Sequence, residues 1–267
     1  KFKILNFISR DDFNPIHICR TIVFKKYGLK NNGIAHSICL ENFTSVCGPY
    51  TYFNTYFTQG SFYFKNIYKK YWFSDFNKSI GPIYGRLVNQ SLNNKIKKQH
   101  FFRSYGQNKK ICYLIGSFNS NTCPFDNILD PDFLENFYKI LKEDEDMLLF
   151  VVARRKEQID FFIKKFNNYE IYKKRIIINN YFSTYDYMAY CDYLISDSTS
   201  SSLFEGTMNP NLSILPINNR KINENPLYNY KEIKIFENLY ELKKFFATQN
   251  KLINKIAFNN QEIKKIL

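Results

Sequence analysis

Cys191-Asp192-Tyr193-Leu194-Ile195-Ser196-Asp197-Ser198-Thr199-Ser200-Ser201-Ser202-Leu203-Phe204-Glu205-Gly206 holds an apolar run, a hydroxyl-rich turn and the start of a helical pattern. The run Tyr193–Ile195 reads as a strand buried on both faces, which is how strands of a parallel sheet read. The pattern after it predicts a helix over about Ser200–Met208. The same alternation extends in both directions. Strands are predicted at Lys110–Ser117, Met147–Ala153, Arg175–Ile178, Tyr193–Ser196 and Leu212–Pro216. Helices are predicted between and after them at Asp132–Lys142, Lys156–Phe166, Ser183–Ala189 and Leu239–Thr248, the first opened by Asp130-Pro131-Asp132. Strands alternating with helices of this size imply βαβ units, hence an α/β fold around a parallel sheet.

The first half carries the rhythm more loosely. Pro15–Leu29 places Ile18, Ile22, Val23 and Phe24 at helical spacing, with Pro15 suited to the first turn and Gly28 to the end. Asn32–Ser37 reads as a short strand ending at His36, and Tyr50–Gln59 as another. Gly60–Tyr71 reads as a helix, and Lys78–Ile83 as a strand entering the Gly81-Pro82 turn. Leu92–Lys109 is polar, basic and low in aliphatic periodicity, so it reads as a linker or exposed loop. It divides the chain into domains 1–105 and 106–267. His17 and His100 read as helix-surface and linker residues. The chain begins at Lys1 with a strand-like run to Ser9, which leads us to expect an incomplete N-terminal domain and shows no signal-peptide pattern at this end.

With 45% hydrophobic and 23% charged residues, the 267-residue chain can bury a sizeable core and is not of disordered composition. No apolar run approaches the ~20 residues needed to cross a bilayer. The six cysteines form no C-x-x-C pair, and Cys112 and Cys191 sit inside strand-like runs, so reduced thiols in a cytoplasmic protein are expected. The formal charge of +14 fits nucleic acid, an anionic membrane surface or phosphorylated substrates. The basic residues are scattered as pairs, so no basic tail is present.

In an open parallel sheet, ligands bind outside the carboxyl ends of the strands. The turn after Tyr193–Ile195 lies at such an end. There Ser196, Asp197, Ser198, Thr199 and Ser200 supply hydroxyls and backbone N–H groups for a phosphate, aided by the start of the next helix. Glu205 lies far enough into that helix to accept two hydrogen bonds from a ribose diol, and its replacement is expected to leave the fold intact. The plainer reading is that Asp197 or Ser198 merely caps the helix. Arg154 and Arg155 follow a predicted strand end, where they suit a diphosphate. His36, at another strand end, suits a general base acting on an acceptor hydroxyl. No metal-ligand spacing, no G-x-G-x-x-G and no P-loop occurs, which argues against a dehydrogenase or a P-loop nucleotidase.

Asp192–Glu205 resembles the donor-site motif of bacterial GT-B-type surface-polysaccharide transferases, a group that includes CDP-glycerol glycerophosphotransferases and the capsule and lipopolysaccharide sugar transferases. Gly33-Ile34-Ala35-His36-Ser37 resembles their strand-terminal His-Gly, with Ser37 in place of Gly. Phe53–Gly60 followed by Ile80-Gly81-Pro82 resembles the stretch before their interdomain linker. The resemblance, over roughly residues 14–217, implies a GT-B-like fold of two Rossmann-like domains. Domain 1–105 would be the acceptor side and 106–267 the donor-binding side. It further implies a metal-independent transferase with no bound cofactor, using a CMP-, CDP- or UDP-linked donor and a polysaccharide or lipid-linked acceptor. Such a protein would be cytoplasmic, with scope for peripheral contact with an anionic membrane at its inner face, and would bind no nucleic acid. Many of these enzymes carry His-Pro where this chain has Ala153-Arg154-Arg155-Lys156, which motivates an alternative as an inactive GT-B-derived scaffold. A nucleic-acid-binding module is the other alternative, resting on charge and aromatic content.

Overall fold

The computed structural model describes residues 4–10, 15–35, 51–58, 73–80, 84–106, 108–114, 138–153, 156–166, 169–178, 181–197, 200, 202–217, 235–237 and 239–248. The chain divides into two compact units, Lys1–Ile83 with Gln261–Leu267, and Tyr84–Asn260.

The first unit holds four parallel strands in sequential order: β1 (Asn6–Ser9), β2 (Lys30–Ile34), β3 (Thr55–Thr58) and β4 (Phe76–Ser79). Helix α1 (Ile16–Lys26) joins β1 to β2 and ends as expected at Gly28, whose φ of 69° is a conformation that glycine adopts without a Cβ penalty. The interior of this unit is partly polar. Asn31 on β2 is fully buried and donates to Thr21 Oγ1 at 2.8 Å and, more weakly, to the His17 carbonyl at 3.4 Å. The Asn54 side chain accepts the Asn31 N–H at 2.8 Å, so the donors of buried Asn31 are met by its neighbours. His17 is not on the helix surface as its sequence context suggests. It is fully buried, with its ring stacked on Phe53 at 4.7 Å. Phe53 stacks in turn on Tyr56 at 5.3 Å. Gly33 makes room for this stack, since a Cβ there would lie 2.5 Å from the Phe53 ring. The predicted helix Gly60–Tyr71 lies outside the described residues.

The second unit is built on five parallel strands: β5 (Lys109–Leu114), β6 (Met147–Val152), β7 (Ile176–Ile177), β8 (Tyr193–Asp197) and β9 (Ser213–Ile217). Their order is β7-β6-β5-β8-β9. Successive side chains point to opposite faces, and here both faces are buried. Ile111, Tyr113, Leu149, Val151, Tyr193 and Ile195 enter one large cluster with Phe162, Phe236 and Leu242. Cys112, Phe150 and Leu194 are equally buried on the alternate positions. Burial also pushes the Cys112 and Cys191 thiols well up, which keeps them as unreactive hydrophobes.

The stretch Leu92–Lys109, read as a linker, is largely helical, taking in the end of one helix and all of a second. These are α2 (Gly85–Asn93) and α3 (Lys95–Tyr105), joined at Asn94, whose side chain accepts the Lys97 N–H at 3.0 Å and caps α3. They belong to the second compact unit, which begins at Tyr84, whereas the sequence reading places the domain boundary at 105/106. Two anchors hold them. Phe101 is fully buried against Phe150, Phe182 and Tyr190, with ring centroids at 5.4, 5.1 and 5.2 Å. Ser91 donates to Asp186 at 2.7 Å, and its carbonyl accepts the Tyr190 hydroxyl at 2.7 Å. His100, read as a linker residue, lies beside Tyr181 and Phe182 at 5.1 and 5.7 Å. Among the described residues, the remaining helices of the unit are α4 (Lys156–Lys165), α5 (Tyr169–Tyr172), α6 (Thr184–Tyr190), α7 (Ser202–Gly206) and α8 (Leu239–Thr248).

Candidate functional site

Numbered by chain position within the second unit, its strands run 3-2-1-4-5, the doubly wound order. The order reverses between β5 and β8. These two strands lie side by side in parallel, with Ile111 opposite Tyr193 and Tyr113 opposite Ile195. From β5 the chain continues toward β6 on one side. From β8 it continues toward β9 on the other. The carboxyl edge between β5 and β8 is thus a topological switch point, outside which open α/β sheets bind ligands. Ser196–Ser200 leaves β8 at this point.

Among the predicted site residues, Ser196 and Asp197 are the last two residues of β8, and Ser196 is buried. Ser200 is half-buried; its Oγ accepts the Ser202 N–H at 3.3 Å and its carbonyl accepts the Leu203 N–H at 3.2 Å. Ser200 thus supports the start of α7, a role the plainer reading gave to Asp197 or Ser198, while its hydroxyl proton is still available for donation. Ser198, Thr199, Arg154, Arg155 and His36 lie outside the described residues.

Two expectations are corrected. Helix α7 spans only Ser202–Gly206, because Thr207 Oγ1 bonds back to the Phe204 carbonyl at 2.6 Å and the chain turns off at once. A single turn sums few peptide dipoles, so hydroxyl and N–H donors must carry any anion binding there. Glu205 does not stand clear of the packing: it is 5% exposed, between buried Phe204 and Gly206. A carboxylate this enclosed has structural partners to lose, so its replacement is expected to cost stability as well as affinity.

The sequence reading missed what fixes this segment in place. Gly206 lets α7 lie directly on β8, since a Cβ there would sit 2.8 Å from Leu194 Cδ2. Asn209 donates to the Met188 and Ala189 carbonyls at 2.9 and 3.2 Å and ties the following turn to α6. Both lie shortly after the Ser/Thr run, and a glycine closing a short helical pattern is the signal that could have found the first. At the amino edge, Asp192 accepts the Lys110 N–H at 2.7 Å. Burial raises the Asp192 carboxyl and lowers the Lys110 ammonium. That pair stands at the far end of the strands from the switch point and serves the fold. Among the described residues no group of His, Cys, Asp and Glu could hold a metal ion, and no helix is long and apolar enough to cross a membrane.

Two units of parallel α/β structure, the second doubly wound with a hydroxyl-rich segment at its switch point, define the GT-B class of fold. No family model and no curated protein matches the sequence. Solved structures do match, and they share this fold with the chain. The UDP-GlcNAc 2-epimerase of Methanocaldococcus jannaschii, in complex with UDP-GlcNAc and UDP, superposes with a TM-score of 0.57 at 15% identity over 97% of this chain and 73% of that one. A glycosyltransferase from Rickettsia africae gives 0.54 at 14% identity over 98% and 69%. The wall teichoic acid polymerase TagF gives 0.51 at 15% identity over 91% of this chain. The chain spans 62% of the length of that polymerase.

Proposed function

We propose that the chain is the greater part of a GT-B transferase that moves a glycosyl or polyol-phosphate group from a CMP-, CDP- or UDP-linked donor to a surface-polysaccharide or lipid-linked acceptor. The observation that carries this reading is the coincidence of the Ser196–Ser200 segment with the reversal of strand order between β5 and β8. The donor phosphates lie against the hydroxyls and N–H groups of Ser196–Ser200, Glu205 holds the ribose from behind, and Arg154 and Arg155 neutralise the diphosphate.

In the transfer, an acceptor oxygen forms a bond to the donor's anomeric carbon or phosphorus. The bond to the nucleotide's phosphate oxygen breaks, and its electron pair stays on that oxygen. The acceptor's proton passes to His36 as general base. Charge builds on the departing phosphate, and the preorganised donors of the segment stabilise it there without a metal. The fold neighbours bear on the donor, since the epimerase was solved with UDP-GlcNAc and UDP. They leave the acceptor open.

Calorimetric titration with CMP, CDP, UDP and GDP tests the reading. At least one of the first three should bind at millimolar strength or better. Replacing Ser198 and Thr199 together with alanine should weaken that nucleotide about tenfold or more, the equivalent of losing ~1.5 kcal/mol of hydrogen bonding to a charged group. A folded protein that binds none of the four contradicts the proposal.

A further inference from the structure

The outward faces of α2 and α3 carry a pattern that the nucleotide site does not use. On α2, Arg86, Asn89, Gln90 and Asn93 recur at i, i+3, i+4 and i+7, one stripe of a helix. The opposite stripe, Gly85, Val88 and Ser91, is the buried one. On α3, Lys95, Lys98, Gln99 and Phe102 recur at the same spacing. The first stripe, with Lys95 and the 81%-exposed Ile96, lines a groove of about 640 Å³. The second lines an adjoining depression of about 450 Å³ that shares Lys95. The turn at Asn94 joins the two stripes into one shelf.

The chemistry of the shelf is selective. From Tyr84 to Tyr105 the chain has five cations (Arg86, Lys95, Lys97, Lys98 and Arg103) and no carboxylate. Lys97 is engaged with Asp186 at 3.0 Å. Arg86, Lys95 and Lys98 have no ion pair among the described residues. Between them stand the carboxamides of Asn89, Gln90, Asn93 and Gln99, each of which can donate and accept at a hydroxyl. Carboxamides spaced between unpaired cations match a ligand whose anionic groups alternate with hydroxyls. Ile96 and Phe102 offer carbon surface to its backbone. A bilayer surface would make no use of the amide row, and stacked bases would call for more than one accessible ring.

We propose that the α2–α3 shelf binds an anionic, hydroxyl-bearing polymer with a phosphate or carboxylate on each repeat, and that it holds the acceptor chain of the transferase. The inference rests on the transferase reading for its purpose, while the binding itself does not depend on nucleotide.

The test uses the whole chain and fluorescently labelled poly(glycerol phosphate), followed by anisotropy at several salt concentrations. Wild type should bind with an affinity that falls steeply with salt. The triple variant Arg86→Gln, Lys95→Gln, Lys98→Gln should bind at least tenfold more weakly and with a shallower salt slope. Its affinity for the nucleotide that wild type binds should be unchanged. The variant Asn89→Ala, Gln90→Ala, Asn93→Ala should lose polymer affinity at an unaltered salt slope, and it keeps the test valid if the first variant misfolds. Unchanged polymer affinity in both folded variants overturns the proposal. So does binding of neutral dextran, single-stranded RNA or phosphatidylglycerol vesicles as tight as that of the polymer. Loss of the donor reading would show separately, as wild-type protein that holds polymer and no nucleotide.

Discussion

Replacing Phe101 with alanine should lower the unfolding free energy by about 3–5 kcal/mol, the range for removing a large aromatic from a packed core. Phe101 is fully buried and touches rings from three other segments: Phe150 on β6, Phe182 ahead of α6, and Tyr187 and Tyr190 on α6. Tyr105, half-buried on the same helix, already packs on Phe150 at 4.9 Å, so it is not free to fill the cavity left behind. Urea denaturation followed by circular dichroism measures the effect. A loss below about 1 kcal/mol, in the range of ordinary surface substitutions, would mean that the two helices are not docked on the sheet and that the boundary lies near residue 105 after all.

A second large effect is expected at Asp186. Its side chain is 1% exposed, and it accepts from Ser91 Oγ at 2.7 Å, Lys97 Nζ at 3.0 Å, and the N–H and hydroxyl of Ser183 at 2.9 and 2.8 Å. The last two, with the Asp186 N–H donating to Ser183 Oγ, form the capping box of α6, so one carboxylate ties α2, α3 and α6 together. Asp186→Ala should cost about 3–5 kcal/mol, as for breaking a buried charged network from one side. Lys97→Ala should cost under about 1 kcal/mol, because the lysine is half exposed and its charge is screened.

The pH dependence follows from the same contacts. Burial on its own would raise the Asp186 carboxyl, but the hydrogen bonds from Ser91, Ser183 and Lys97 outweigh it and hold the group below its ordinary value of 3.8. A depressed folded-state pKa contributes stability that is present above the unfolded value and is lost as pH falls through the folded one. Wild type should therefore lose stability on acidification below about pH 4, by an increment that Asp186→Ala lacks. Equal acid sensitivity in the two proteins would remove Asp186 from the account.

How far the sequence could be read followed from where each residue's partners lie. β5, β6, β8 and β9 were legible because a strand covered on both faces must be apolar at every position, as Met147-Leu148-Leu149-Phe150-Val151-Val152 is. The helix near Ser183 was found from its own stretch of sequence, and the capping box that opens it is equally local chemistry. Helices α2 and α3 were not found, because their inward positions are Gly85, Val88, Ser91 and Phe101, too few and too small to set an aliphatic period. What holds them is Asp186, almost a hundred positions away in the chain from Ser91 (95 residues). His17 was misplaced for a similar reason, since its stacking partner Phe53 comes from a separate segment. The hydroxyl run of the candidate site was visible as composition. Its place at the switch point was not, because strand order is set by packing and cannot be read from one strand.

Amide hydrogen exchange, with and without the nucleotide that binds, tests the central claim most directly. With nucleotide at ~100 times its dissociation constant, a linked site can gain up to ~2.7 kcal/mol of protection, about a hundredfold slowing. That slowing should be concentrated in peptides covering residues 193–206 and the exits of β5 and β6. Slowing concentrated instead in 84–105 or in the first unit, or saturated binding that leaves 193–206 unchanged, would contradict a donor site at the β5–β8 switch point.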